Sequence, residues 1–190
     1  MDGHGPSPSA DAVDDATTAI VGSRTDELTG IADRPTFFTQ AQAVFAAAIA
    51  LDAECTAVLV DLDRLDHVND TYGHHAGSEL IRETAATLAA IANDGDVVGR
   101  IGGDELALLR PDADRPVHTL RAEVLDRLGS ACRSDRPFGL AVSVGVAIAR
   151  PSEAGSLDAL LGRADDAMYI AKRAGGGRHG PPHVRRVARD

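Results

Sequence analysis

The sequence predicts an α/β sandwich with a β-α-β-β-α-β core and extra flanking helices, and three observations predict it. Thr56-Ala-Val-Leu-Val-Asp61 is a continuous apolar run ending in an acid, as expected of a central strand buried on both faces. Asp96–Arg100 and Leu106–Arg110 are short strand-like runs on either side of Ile-Gly-Gly-Asp-Glu, which is hairpin-turn chemistry. The other apolar segments recur at helical spacing.

In chain order, Pro35 to Leu51 is read as a helix with Phe37, Phe38, Ala41, Val44, Phe45 and Ala48 on or near one face. Thr56 to Leu62 is the first strand, and no helix or strand is assigned to residues 63 to 76. Gly77 to Ala92 is helical, with Leu80, Ile81, Thr84, Leu88 and Ile91 along one stripe. The hairpin follows, then a helix over Arg115 to Cys132 with Leu120, Val124, Leu125 and Leu128 turned inward. Phe138 to Ala149 reads as one long strand, alternating through Val142, Val144, Val146 and Ile148. Ser156 to Ala174 closes the fold as a helix with Ser156 as its N-cap. This order is that of a ferredoxin-like sandwich.

Residues 1–23, rich in Gly, Pro, Ser, Asp and Ala, are expected to be a flexible segment with a short helix over Ala10 to Val21. Residues 24–178 form the expected domain, and 179–190 a basic mobile tail after the Gly175-Gly-Gly breaker. A core of about 150 residues buries roughly 70% of its unfolded surface, enough to be stable alone. With 19 basic and 29 acidic residues the net charge is −10, which argues against nucleic acid or an anionic membrane as partner. Cys55 and Cys132 fit no disulfide framework or zinc spacing. No segment reads as a signal peptide or membrane span, so a cytoplasmic domain is expected.

Two acidic clusters carry the chemistry. Asp61 and Asp63 stand at i and i+2 at the end of the first strand and are expected on the same side. Asp104 and Glu105 stand at the hairpin tip, after glycines that let the backbone come close to a phosphate. Gly-Gly-Asp is also ordinary turn chemistry, but two acidic tips from separate elements can converge on a divalent ion. His74 and His75, read in a strand or loop, would point apart, and His74 is expected to be structural. Asp26 and Arg34 read as a local clamp at the start of the domain.

Taken together, five ordered motifs resemble the GGDEF family of nucleotidyl cyclases, which make cyclic di-GMP. They are Asp26-Glu-Leu-Thr-Gly30 with Arg34, Asp61-Leu-Asp63 through Asn69-Asp-Thr-Tyr-Gly-His74-His-Ala-Gly77, and Gly102-Gly-Asp-Glu-Leu106. Ser143-Val-Gly145 and Ala164-Asp165 to Ala171-Lys172 complete the series. The resemblance covers about Asp26 to Arg178 and implies the palm-type version of the fold. It also implies condensation of two GTP into cyclic di-GMP with loss of pyrophosphate, helped by Mg2+ (or Mn2+), when two copies face each other as a homodimer.

On the same ground, Asp61 and Asp104 would be metal ligands with the Leu62 carbonyl, and Glu105 a base or a further metal contact. Gly102 and Gly103 would admit the phosphates, with Leu65 and Asp66 nearby. Asn69 and Ser78 would meet the base edge, and Lys172 the terminal phosphates. Each has a plain alternative: Asp63 orienting Asp61 or forming a salt bridge, Asn69 closing a turn, Lys172 as a solvated charge, Ser78 capping a helix. Chain length leaves no room for a large sensor domain, so pairing would come from the N-terminal segment, a regulatory protein or high concentration.

Three positions depart from the family pattern. Leu106 replaces the usual Phe, a loss of volume worth about 1 kcal/mol if poorly repacked. Leu65-Asp66 replaces Phe-Lys and puts an anion where a phosphate-side cation is usual. Ser78 replaces an Asp that accepts from guanine, and a hydroxyl that both donates and accepts would also serve adenine, so ATP and a mixed product become candidates. Asn93-Asp-Gly-Asp96 lacks the Arg of the family's Arg-x-x-Asp product-inhibition site, so feedback there is not expected. A catalytically degenerate module that binds a nucleotide or a protein is the alternative function. A nucleic-acid polymerase relative is disfavoured by the acidic charge and the lack of a basic channel.

Overall fold

The computed structural model describes residues 24–111, 116–131, 137–153 and 155–175. The proposed N-terminal helix, Cys132 and the C-terminal tail lie outside these residues. Nine elements follow in order: α1 (Arg34–Ala50), β1 (Cys55–Leu62), α2 (Leu65–Tyr72), α3 (His74–Ile91), β2 (Val97–Arg100), β3 (Glu105–Pro111), α4 (Val117–Ala131), β4 (Val142–Ala149) and α5 (Leu157–Gly175).

The four strands form one antiparallel sheet in the order β2-β3-β1-β4. That is the ferredoxin-like arrangement the element order predicts. β1 lies between two neighbours and every one of its residues is buried, which is why its sequence is apolar without alternation. Its side chains divide by parity between two cores. Val58, Val60 and Leu62 face α3 and α4 through Leu80, Leu88, Leu120 and Leu128. Ala57 and Leu59 face α1 and α5 through Phe37, Phe45, Leu160 and Met168. The expected helical stripes are the buried ones: Leu80, Ile81, Thr84, Leu88 and Ile91 on α3, and Leu120, Val124, Leu125 and Leu128 on α4. Leu106 is fully buried opposite Val60, so the change from Phe is a matter of core volume alone.

Two element readings need correction. Residues 65–72 form a helix, α2, where the sequence reading assigned no element. Leu65, Val68 and Tyr72 stand at i, i+3 and i+7, a helical spacing confined to eight residues, and the N-cap residue Arg64 has a left-handed φ of 61° without a capping side chain, so no cap announces it. His74 and His75 consequently open α3 as successive helical residues, not strand or loop residues. The last strand begins at Val142 and not at Phe138, because β1 supplies no ladder partner beyond Leu62. Asp63 N–H then donates to Ala141 O at 2.8 Å as the chain turns away.

α5 lies close on β4 because Gly145 has no side chain. A Cβ there would stand 2.0 Å from Ala164 O and 2.5 Å from Met168 N, both backbone atoms. Ser156 Oγ accepts from Ala159 N–H at 3.2 Å and caps the helix as expected. Gly145→Ala is therefore expected to push α5 off the sheet and to destabilise the domain by roughly 1–3 kcal/mol, measured by urea unfolding.

Candidate active site

Strand register brings the two acidic clusters together. Asp61 pairs with Glu105 of β3 on one side and with Ser143 of β4 on the other. Leu62 N–H donates to Asp104 O at 3.0 Å, tying the end of β1 to the hairpin tip. The turn is closed by Ile101 and Gly102 N–H groups donating to Glu105 O at 3.0 and 3.2 Å.

The two glycines behave differently. A Cβ on Gly102 would lie 2.6 Å from Glu105 Oε2, so this glycine makes room for the glutamate itself. Nothing lies within 4 Å of a Cβ built on Gly103, so that side of the turn is open to a ligand.

Three cations surround the acids. Lys172 Nζ on α5 donates to both oxygens of Asp61, at 2.8 and 2.9 Å. Arg100 donates from Nε to Gly102 O at 3.1 Å and from a terminal nitrogen to Gly103 O at 2.7 Å, and it pairs with Asp26 at 3.2 Å. Arg34 donates to Ile101 O and lies over the Phe38 ring. The expected clamp between Asp26 and Arg34 is thus corrected: each reaches the hairpin separately, Asp26 through Arg100 and Arg34 directly. Thr29 also donates to Asp26 from N–H and hydroxyl, and with Arg100 these contacts outweigh desolvation and hold the Asp26 carboxyl below its usual range.

Asp63 is held on the β4 side of the sheet end. Ser143 Oγ contacts both of its oxygens at 3.0 Å, fixing the chain where it leaves β1. Burial pushes the Glu105 carboxyl up, reinforced by Asp104, Asp61 and Asp165 of α5, with Arg34 opposing. At Lys172 burial opposes the charge, but the Asp61 contact, then Asp63 and Asp104, outweigh it and the pKa is raised.

Beside the hairpin is a cleft of about 520 Å3. Its walls include Leu65, Asp66 and Asn69 from α2, Ser78 from α3, and Gly103 and Asp104 from the turn, so most of the expected substrate-side residues share one cavity. Asn69 is set by a close approach: a Cβ on Gly77 would overlap its Oδ1 at 2.1 Å. Lys172, Asp61, Glu105, Leu62 and Gly102 do not line this cleft; Asp104, next to Glu105 in the turn, does. Sequence reasoning gave Arg100, Leu28 and Ile81 no place in the site, yet they also line it, and it treated His74, on the same wall, as structural. An Arg two residues before Gly-Gly, able to hold the turn carbonyls, was the available signal for the first.

Among the described residues no three His, Cys, Asp or Glu side chains gather to hold a metal. Two carboxylates and a carbonyl nevertheless suit a hard cation that takes its remaining ligands from phosphate and water, the usual manner of Mg2+.

Comparison with known proteins agrees with this geometry. The family model for the diguanylate cyclase GGDEF domain matches residues 23–178, and the chain belongs to this family. Among curated relatives it is 35% identical to diguanylate cyclase DgcM of Escherichia coli over 79% of this chain and 36% of the relative. It is 32% identical to response regulator PleD of Caulobacter vibrioides over 80% of this chain and 34% of the relative. The chain spans about a third of the length of both.

Among solved structures, the GGDEF domain of DgcB from Caulobacter crescentus in complex with c-di-GMP superposes with a TM-score of 0.71 at 30% identity. The match covers 80% of this chain and 91% of that one. Diguanylate cyclase SiaD from Pseudomonas aeruginosa, solved with its activator SiaC, gives 0.65 at 28% identity, covering 80% and 58%.

The raised Glu105 pKa has a consequence for stability. An acid whose folded pKa lies above its unfolded value binds more protons in the native state, so stability falls as pH rises through that interval. Glu105→Gln is expected to raise stability at neutral pH, with the gain vanishing below the ordinary glutamate range. Urea unfolding of both proteins across that range checks it.

Proposed function

We propose that this domain condenses two molecules of GTP into cyclic di-GMP, with Mg2+ or Mn2+ held by Asp61, Asp104 and the Leu62 carbonyl. The observation that carries the reading is the register placing Asp61 opposite Glu105, which sets Asp104 between the acidic cluster and the cleft. The cation would neutralise phosphate charge and help the pyrophosphate leave.

This chain's residues do the rest. Asn69 and Ser78 hold the base edge, the open Gly103 backbone admits the phosphates, and Lys172 supplies a cation to the terminal phosphates. Arg100 and Arg34 keep the turn carbonyls in place. Glu105, raised by burial and its acidic neighbours, accepts the 3′-hydroxyl proton as that oxygen bonds to the α-phosphorus of the second nucleotide and the bond to the β-phosphate breaks. Each domain offers one such cleft, so turnover requires two copies facing each other, and repetition of the step closes the ring.

Neither nucleic acid nor membrane is a partner in this reading: the charge is acidic, and among the described residues no helix is long and apolar enough to cross a membrane. By analogy with SiaD and its activator, a regulatory protein is a reasonable source of pairing.

Incubation with magnesium and GTP, ATP or both, with products resolved by mass, tests the reading. Cyclic di-GMP from GTP is expected, with a rate that rises faster than linearly in protein concentration. Asp104→Asn should lower that rate roughly a hundredfold or more. Product formation untouched by Asp61→Ala would remove the metal assignment. Should no product form while GTP and magnesium still raise the melting temperature, the domain is a receptor; no shift at all favours a protein-interaction module.

Ser78 on the cleft wall favours a second reading, relaxed base choice. A mixed cyclic AMP-GMP is then expected from the two nucleotides together. Ser78→Asp should restrict the product to cyclic di-GMP, because a carboxylate accepts from guanine but cannot donate to adenine N1. An unchanged product ratio in the variant would exclude this role.

A further inference from the structure

Lys172 and Asp61 form an ion pair of unequal halves. Both Asp61 oxygens are engaged, and its side chain is only 8% exposed, whereas the Lys172 side chain is 49% exposed. The backbone beneath the lysine is fixed: Ala164, Met168 and Ala171 of α5 are buried, and Gly145 seats the helix directly on β4. The ammonium, on four flexible methylenes, can therefore leave Asp61 by changing rotamer while the helix stays in place. Around it stand Asp61, Asp63 and Asp104, so its present position is the one that best answers the local negative charge.

A divalent cation bound to Asp61 needs an oxygen that Lys172 now holds, and two positive centres on one carboxylate repel each other. Resting on the metal assignment proposed above, we infer that Lys172 is an exchangeable counter-ion that makes metal and triphosphate bind together. While it sits on Asp61 it competes with a bare cation. When a cation arrives already carrying a triphosphate, the displaced ammonium finds new anionic oxygens beside it. The residue acts on metal entry through Asp61 as a positioning residue, before any contact with substrate. The pair thus discriminates against metal without nucleotide.

The test separates two affinities in the intact chain. Mn2+ binding alone is followed by the paramagnetic resonance of the free ion. Binding of Mn2+ with an α,β-methylene analogue of GTP, which cannot release pyrophosphate, is followed by calorimetry. Lys172→Met, which keeps the stem and removes the charge, is expected to bind bare Mn2+ roughly fivefold or more tightly and the metal–analogue pair about tenfold more weakly. Lys172→Arg, which keeps the charge, should stay close to wild type for bare Mn2+, and thermal unfolding establishes that each variant is folded.

Bare-metal affinity unchanged or lowered in Lys172→Met overturns the exchange. If that occurs while wild type binds the metal–analogue pair, the proposed function stands and only this inference fails. If wild type binds neither metal nor analogue, the functional reading itself fails.

Discussion

Crowding of like charge at one end of the sheet is the constraint on which the rest of the site depends. The β1–β3 register sets Asp61 opposite Glu105 and brings the Asp104 carbonyl onto Leu62 N–H, so three carboxylates are brought to one end of the sheet by backbone pairing alone. Such an arrangement is unfavourable unless cations answer it. Two come from far along the chain, Lys172 from α5 onto Asp61 and Arg34 from α1 onto Ile101 O, while Arg100 at the foot of the turn holds its carbonyls with Asp26 as its own counter-ion. Burial adds to the crowding, and together with Asp104, Asp61 and Asp165 it holds the Glu105 carboxyl above its usual range. The close seating of α5 on Gly145 and the opening segment around Asp26 thus serve to deliver charge to a strained cluster.

Much of this was readable in the amino acids. An unbroken apolar run can only be a strand buried on both faces or a buried helix, and its short length with flanking acids favoured the strand. The stripes of α3 and α4 were legible because each meets a single core. By contrast α2 is short, with Leu65, Val68 and Tyr72 as its whole apolar face and no capping side chain, so its signal is faint and its place is fixed by packing against α3, where Asn69 meets Gly77. Phe138–Leu140 misled for the opposite reason: strand propensity without a partner strand does not make a strand. Within the site, acids and an amide with no use in a core stood out. The pairings that control them did not, since Lys172 is 111 residues from Asp61 and Arg100 is 74 from Asp26.

The departures from the family pattern differ in weight. Leu106 sits wholly inside the core, where volume is its only issue. Asp66 lines the cleft but is exposed, and repulsion from an exposed charge is screened to about 1 kcal/mol or less. A loss of that size weakens nucleotide binding by several-fold and leaves catalysis possible. Ser78 is half-buried in the cleft wall, so under the proposed function it would carry the larger consequence, a hydroxyl there deciding which base leaves no polar group unpaired.

Regulation is constrained by a pair outside the site. The Asp96 side chain, 2% exposed, accepts from Arg110 at 2.6 and 2.8 Å and from Asn93 N–H at 2.9 Å, while Arg110 also donates to Ile91 O. Removing one partner of such a buried pair costs about 3–5 kcal/mol, which identifies it as part of the fold. The Asp of an Arg-x-x-Asp product site would need a free carboxylate and a guanidinium beside it. Here Asn93 stands in place of the arginine, and the Asp96 carboxylate is already committed to holding the start of β2 against β3. That commitment argues against product feedback through this segment. Under the proposed function, control would then fall to the pairing of two copies and to how the Asp61 carboxylate is shared between Lys172 and an incoming cation.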